Sequence, residues 1–386
     1  MSGSERAGVL LVGGGVASVR CARALRRHGF TDSIVLIGAE RTLPYNRPPL
    51  SKELLRDDLP DDLVLAEPAS WYERRGIDRR LGTRVVALDP EGRNVTLDDG
   101  RILEYERCLL ATGAEPRILP VPGAENALVL RTLDDARRLR SRAMASGRGA
   151  PVTVVGGGFI GIEVASGLAA LGLRPTIVEM AADLWGETLG RELASWARER
   201  LGEAGIEARF DAQVIALTDA FASIGEERLE HRLCVAGIGV GPRTELAEAA
   251  GVTINDGIVT DAEGRTSAPG IWAAGDVARA DGRRVEHWHA AREGGERAAL
   301  SMLGLPVPPL RASWVFSEVG GAAVDIVGDA REWDEERWIG GSVLAYLRDG
   351  RVLQVAVIDA AISIEESRAI VERGAPIADL EAIGGD

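Results

Sequence analysis

The chain opens with a short apolar run, Gly8–Val12, of the kind that fills a strand buried on both faces of a parallel sheet. Gly13-Gly14-Gly15 follows, and from Val16 to His28 the apolar positions Val19, Ala22 and Leu25 return on one helical face. Ser33–Ile37 is the next apolar run, and it ends in Gly38-Ala39-Glu40. Strand, glycine turn, helix, strand and terminal acid make up a mononucleotide-binding unit.

The pattern occurs a second time. Pro151–Val155 reads as a strand, Gly156-Gly157-Gly158-Phe159-Ile160-Gly161 as the turn, and Ile162–Leu171 as the helix. Thr176–Val178 is the following strand and ends at Glu179. This is duplication at the scale of a domain, not a solenoid repeat. Between the copies, Val85–Val95 and Ile102–Ala111 are strand-rich and joined by the turn Asp98-Asp99-Gly100. Gly147–Ala150 is a loop that opens the second copy. From about Trp314 the pattern changes to short strands, Ser342–Leu347 and Val352–Ile358 among them, joined by Arg348-Asp349-Gly350-Arg351. A closing helix is expected over Ile364–Arg373. The expected fold class is α/β, with two Rossmann-like dinucleotide-binding domains and a smaller α+β C-terminal domain.

Composition narrows the function. At roughly 150 residues per domain, 386 residues suggest two to three domains. An apolar share of 46% with 27% charged residues excludes a disordered chain. No apolar run approaches the roughly 18 residues that cross a bilayer, and Gly8–Val12 is too short for a signal peptide, so a soluble, cytoplasmic protein without a membrane partner is expected. A net charge of −14 argues against wholesale binding to nucleic acid. Cys21, Cys108 and Cys234 are odd in number and far apart, which excludes a disulfide scaffold. Of the 45 basic residues, Lys52 alone is a lysine. A chain that otherwise uses arginine keeps lysine where a compact, mobile ammonium is needed.

The glycine turns let backbone approach a pyrophosphate whose charge then sits at a helix N-terminus. The second copy has Gly156, Gly158 and Gly161 in the full G-x-G-x-x-G spacing, whereas the first keeps Gly13 and Gly15 with Ser18 in third place. Glu179 stands where a carboxylate accepts from a ribose 2′-hydroxyl and repels a 2′-phosphate. Met180-Ala181-Ala182-Asp183 after it offers no arginine for a phosphate. NADH is therefore expected over NADPH.

Pro44-Tyr45-Asn46-Arg47-Pro48-Pro49-Leu50-Ser51-Lys52 resembles the segment after the FAD fingerprint in NADH-dependent ferredoxin reductases, which serve cytochrome P450 and ring-dioxygenase systems. Ala111-Thr112-Gly113 resembles their crossover between the FAD and NAD domains. Gly270-Ile271-Trp272-Ala273-Ala274-Gly275-Asp276 resembles their second FAD segment, and Glu286-His287-Trp288 the next flavin-contacting stretch. The resemblance covers nearly the whole chain. It implies a discontinuous FAD domain at 1–112 and 247–313, an NAD domain at 113–246, and a C-terminal domain at 314–386 that covers the flavin edge.

Carried over by residue, Gly15, Val16 and Ala17 would touch the FAD pyrophosphate after Gly13, and Glu40 or its neighbour the adenosine ribose. Lys52 would lie beside the isoalloxazine, Val85 near the adenine and Arg131 near the cofactor. Ala111, Thr112, Gly113 and Gly275 would line the site, with Asp276 on the ribityl chain and Trp288 at the ring. Asp276 could also cap a helix, and Trp288 could be core packing. A helix over Ala290–Leu303 would point its N-terminus at the flavin pyrimidine. Gly156, Gly158, Phe159, Ile160, Gly161, Glu179 and Gly239 would hold the NADH. The resemblance also implies that Lys52 and Glu163 pair as catalytic residues that fix the nicotinamide for hydride transfer; the alternative for Glu163 is a solvated helix residue.

No cysteine lies in Leu43–Leu55, where disulfide reductases of this fold carry their redox thiols. Cys21 in a helix and Cys108 in a strand are expected to be inert, so electrons should pass to an outside acceptor. A ferredoxin-type iron–sulfur protein is the implied partner, and the chain a monomer or homodimer. Arg74-Arg75 and Arg79-Arg80 are solvated faces or part of a docking patch. His287 and His289 lack the company of a metal site, and no metal is expected. Two features depart from the family pattern. Phe316 stands where many relatives have Trp, and the segment from Trp314 holds fifteen acids against six arginines. The alternatives are an NADH oxidase or a quinone or small-molecule reductase, and, from another class, a flavoprotein that senses NADH through interaction.

Overall fold

The computed structural model describes residues 5–57, 59–185 and 188–384. These residues pack as two compact units, one drawn from residues 5–46, 60–115 and 241–310 and the other from the remainder. Among the described residues no helix is long and apolar enough to cross a membrane.

Unit one is built on a parallel sheet in the order Ile77–Leu81, Ile34–Gly38, Glu5–Val12, Ile102–Leu110, Ile271–Ala273. The unbroken apolar run of the first strand is explained by cover on both faces. Val9 and Leu11 lie in one core cluster with Leu36 and the helix residues Cys21 and Leu25. Leu10 and Val12 lie in another with Ile37 and Cys108. The strand-rich stretch from Val85 forms two strands, Val85–Asp89 and Asn94–Leu97, that pair antiparallel. Between them the Asp89 carboxylate accepts from the Glu91 and Gly92 amides at 3.1 and 2.9 Å, which turns the chain. Val16–Arg27 packs along Trp288–Met302, through Ala17 and Ala24 on the first helix and Ala291 and Ala298 on the second. Small residues let the two backbones approach closely.

Unit two has a parallel sheet in the order Glu207–Arg209, Arg174–Val178, Pro151–Val155, Leu233–Ala236, Ala127–Leu128. The helix after its glycine turn runs Phe159–Ala170, starting three residues before the expected point because Gly158 is the last extended residue. Ile162, Val164, Ala165 and Leu168 on this helix are all buried. From Gly161 to Leu168 every residue is buried, so the middle of the helix is enclosed on every side.

The segment from Trp314 forms an antiparallel sheet, Trp314–Val319, Ala322–Gly328, Arg351–Ile358, Val343–Arg348, Glu335–Ile339, followed by helices Ile364–Glu372 and Ile377–Gly384. The second of these helices was not expected. Val319, Val324, Leu344 and Tyr346 share one core cluster with Val154, Ile162 and Leu168, so the C-terminal sheet belongs to unit two. Residues 47–57 also pack there, with Leu55 in the same cluster. Gly167 makes room for them, since a Cβ on it would lie 2.8 Å from Leu55 Cδ2.

The helix pair of unit one sets a test of packing. A Cβ on Gly295 would lie 2.1 Å from the Ala17 carbonyl oxygen, which is backbone and cannot swing aside. Gly295→Ala is expected to destabilise the protein by about 1–3 kcal/mol, read as a lower melting temperature. An unchanged melting temperature would show that the two helices are not in register as described.

Candidate functional site

In open α/β sheets, ligands bind beyond the carboxyl ends of the strands where the strand order reverses. Unit one brings three of the expected loops to that point. Gly13 has φ +122°, and a Cβ on it would lie 2.0 Å from the Ala111 carbonyl oxygen. The Ala111 amide donates to the Val12 carbonyl at 2.8 Å, and the Ala274 amide to the Leu110 carbonyl at 3.1 Å. A Cβ on Gly275 would meet Ala17 Cβ at 3.4 Å, so Gly275 and Asp276 flank the same helix start. Asp276 lies in the turn between Ile271–Ala273 and Ala278–Ala280 and caps no helix. Burial pushes the neighbouring His287 imidazole below its usual pKa, and Asp276 pulls the other way.

The helix start itself fits a phosphate. Gly15 is the N-cap of Val16–Arg27, and no side chain among the described residues caps it. A Cβ on Gly15 would meet nothing within 4 Å. The helix itself leaves the first-turn amides of Val16 and Ala17 without intrahelical acceptors. By contrast Thr132 and Ser363 close the helices Leu133–Ser146 and Ile364–Glu372 with capping boxes. Ser18, in the third fingerprint place, is wholly buried, and its Oγ has no partner among the described residues.

Around this start, Glu40 lies two residues past the strand Ile34–Gly38 and accepts from Tyr45 Oη at 2.6 Å. Gly82 and Thr83 donate to the Glu40 and Gly38 carbonyls, which brings the chain past the strand tip towards Val85. Trp288, half-buried at the first position of its helix, donates from Nε1 to Asn46 Oδ1 at 3.1 Å. Thr112 Oγ1 donates to the Arg243 carbonyl at 2.7 Å, and the Arg243 amide to the Gly113 carbonyl at 2.9 Å. The expected crossover residues are thus joined to the chain where it returns. Tyr45 and Asn46 were visible in the sequence as parts of a motif, but their hydrogen-bond roles were not.

The second cradle repeats the first in unit two. Gly156 has φ +106°, and a Cβ on it would lie 2.5 Å from the Gly237 carbonyl oxygen. A Cβ on Gly161 would lie 1.9 Å from the Gly156 carbonyl oxygen, the close strand–helix approach that this glycine permits. Gly158 is an uncapped N-cap among the described residues, and a Cβ on it would meet nothing within 4 Å. Glu179 accepts from the Gly157 amide through Oε2 and from the Ala181 amide at 2.7 Å through Oε1. Both bonds fix the carboxylate beside the turn and leave lone pairs for further donors. Phe159 packs against Trp185 with ring centroids 5.9 Å apart, while Ile160 is exposed. Gly239, at φ +89°, accepts through its carbonyl from the Arg117 amide at 3.0 Å.

Lys52 and Glu163 meet. Nζ and Oε1 are 2.6 Å apart, with the side chains 10% and 4% exposed. Glu163 is therefore a buried, paired carboxylate and not a solvated helix residue. Ser51 and Ser317 also donate to it, the latter at 2.8 Å; Ser51 stands in the Pro44–Lys52 motif, but neither serine's bond to Glu163 was legible from sequence. Lys52 and Arg131 belong to unit two, whereas Gly13 to Ala17 belong to unit one. Arg131 precedes the helix Leu133–Ser146, where its amide donates to Asp135 Oδ2 at 3.1 Å and its carbonyl accepts from Arg47.

Other expected positions fall outside both cradles. Arg74 and Arg75 line an open cavity of about 700 Å³ with Arg23, Arg26 and Arg27, at the far end of the first helix from its glycine turn. Arg80 is tied to Glu5 and Asp78. His289 Nδ1 lies 3.3 Å from Glu293, and among the described residues no three His, Cys, Asp or Glu side chains are grouped to hold a metal ion.

The profile of the family described as "Pyridine nucleotide-disulphide oxidoreductase" matches residues 7–295. The chain is 35% identical over 395 residues to the ferredoxin reductase component of chlorobenzene dioxygenase from Cupriavidus sp. (strain PS12), covering 94% of this chain and 93% of that one. It is also 35% identical over 392 residues to the ferredoxin–NAD(+) reductase component of the anthranilate 1,2-dioxygenase system of Burkholderia cepacia, covering 95% and 94%. The crystal structure of the covalent putidaredoxin reductase–putidaredoxin complex superposes with a TM-score of 0.91 at 30% identity, covering 99% of this chain and 96% of that one.

Despite the disulphide in that family description, the three thiols here are buried and unbridged. Burial pushes the Cys234 thiol up to about 12 and those of Cys21 and Cys108 higher still, so none forms the reactive thiolate. Folded protein is expected to leave all three unmodified by an aromatic disulfide reagent, and denatured protein to react at all three. Rapid labelling of one cysteine in the folded state would reopen a thiol relay.

Proposed function

Because the chain belongs to the pyridine nucleotide-disulphide oxidoreductase family, among the ferredoxin reductase components of oxygenase systems, we propose that it is an FAD-dependent, NADH-oxidising ferredoxin reductase. The bound FAD supplies the chemistry that converts a two-electron hydride donor into a source of single electrons for an iron–sulfur protein. The observation that carries this reading is the pair of separate, uncapped glycine cradles, combined with the absence of an accessible thiol among the described residues.

The assignments follow the cradles. The amides of Gly15, Val16 and Ala17 hold the FAD pyrophosphate, Glu40 the adenosine ribose, and Asp276 and Trp288 the flavin end, with Ala111, Thr112, Gly113, Gly275 and Val85 lining the site. Gly156, Gly158, Phe159, Ile160 and Gly161 hold the NADH pyrophosphate, with Gly239 across the turn. Glu179, fixed by two backbone amides, accepts from the ribose hydroxyls, and its charge opposes a 2′-phosphate. Lys52 and Glu163 orient the nicotinamide, and burial strengthens their interaction relative to one in water. The electron acceptor is a small ferredoxin-type iron–sulfur protein.

The purified protein should be yellow and should bleach anaerobically with NADH. It should then reduce an acidic [2Fe–2S] ferredoxin faster than oxygen. Faster reduction of oxygen or a quinone would favour the oxidase reading. NADH should exceed NADPH in kcat/KM by roughly 100-fold, the scale of a like-charge clash, and equal values would remove Glu179 from the assignment. Lys52→Met should slow flavin reduction by NADH roughly 10- to 100-fold, the scale of a misplaced reactant. An unchanged rate would remove Lys52 from the reaction.

A further inference from the structure

The Lys52–Glu163 pair joins a long buried helix to a short connecting segment. Glu163 stands on the enclosed helix Phe159–Ala170. Lys52 stands between the short turn Pro48–Ser51 and the four-residue helix Glu53–Arg56. Burying an ion pair is repaid only where further hydrogen bonds satisfy the remaining lone pairs of the carboxylate. Here they do. Lys52 Nζ at 2.6 Å and Ser317 Oγ at 2.8 Å both reach Oε1, and Ser51 Oγ donates to Oε2.

The two serines differ in origin. Ser51 is the chain neighbour of Lys52, so its bond moves whenever the lysine segment moves. Ser317 comes from the strand Trp314–Val319, opposite Val324 in the C-terminal sheet, and is 4% exposed. Among the described residues, its hydroxyl is the donor to Glu163 that does not depend on the lysine segment. Its neighbours grip that segment too. The Phe316 ring lies 5.4 Å from Lys52 Nζ, within cation–π range, and Glu318 pairs with Arg56.

We propose that Ser317 is a positioning residue: its hydroxyl holds the Glu163 carboxylate in the orientation that keeps the Lys52 ammonium in place. The C-terminal sheet thereby sets the geometry of a pair whose members both lie outside it. The catalytic consequence rests on the reading of Lys52 and Glu163 given above, but the clamp itself does not.

The composition of the chain supplies a clean probe. Lys52 is its single lysine, so an amine acylating reagent reports on Lys52 and on the N-terminus alone. The purified holoprotein is acylated with a succinimidyl ester at fixed pH, and both sites are followed by peptide mass spectrometry. Ser317→Thr keeps the hydroxyl, and Ser317→Val has nearly the same shape without it. The valine variant is expected to acylate Lys52 about tenfold faster than wild type, the scale of a lost hydrogen bond to a charged group. The threonine variant should stay within about twofold. The N-terminus, as internal reference, should be unchanged in all three. Ser317→Ala, which adds no bulk, replaces the valine variant if a thermal melt shows that the latter is misfolded.

Equal Lys52 rates in the threonine variant and the variant lacking the hydroxyl would overturn the clamp. In the same proteins, flavin reduction by NADH should fall about tenfold without the hydroxyl, recover with threonine, and leave the KM for NADH nearly unchanged. Faster acylation with unchanged flavin reduction would uphold the clamp and overturn the catalytic reading of the pair.

Discussion

Backbone amides can reach a pyrophosphate only where side chains stand aside, and this chain meets that constraint twice. At Gly13 and Gly156 the obstacle is a carbonyl of the same unit, that of Ala111 or Gly237, which occupies the place of a Cβ. At Gly15 and Gly158 there is no obstacle, and the turn opens onto space at an uncapped helix start. The strands, the helices and the covering cores serve to hold these two turns. The alternation of Val9 and Leu11 against Leu10 and Val12 fixes the first strand between two cores, so the turn after it has a defined place.

The two cradles are not copies in every detail. At Gly161 the second leaves no room for a side chain, since a Cβ there would lie 1.9 Å from the Gly156 carbonyl oxygen, whereas the first accepts Ser18 with its hydroxyl buried. The acids differ in support as well. Glu179 is held by two backbone amides beside the turn, and Glu40 by the phenol of Tyr45.

The Lys52–Glu163 contact ties the helix Phe159–Ala170 of unit two to both the lysine segment and the C-terminal sheet. A buried carboxylate with three donors is costly to desolvate and specific once satisfied. The same sheet contributes Tyr346, whose hydroxyl donates to the Leu189 carbonyl at 2.6 Å, and Val324 and Leu344 to the shared core. The C-terminal segment is thus part of the core of unit two.

The sequence alone determined both cradles, because glycine spacing after an apolar run is a local requirement of backbone geometry. It also determined the strand-terminal acids, the single lysine, and the lack of a thiol pair near the first fingerprint. Boundaries were legible to within a few residues where a glycine or a turn set them, as at Gly158 and at Asp98-Asp99-Gly100. Only the tertiary structure decided that 314–384 shares a core with 116–240, that residues 47–57 pack there, and that Ser51 and Ser317 complete the Glu163 site. Those outcomes depend on contacts between residues more than a hundred positions apart. A serine on a strand has the same local signature whether its hydroxyl meets water or a buried carboxylate, and only packing distinguishes the two.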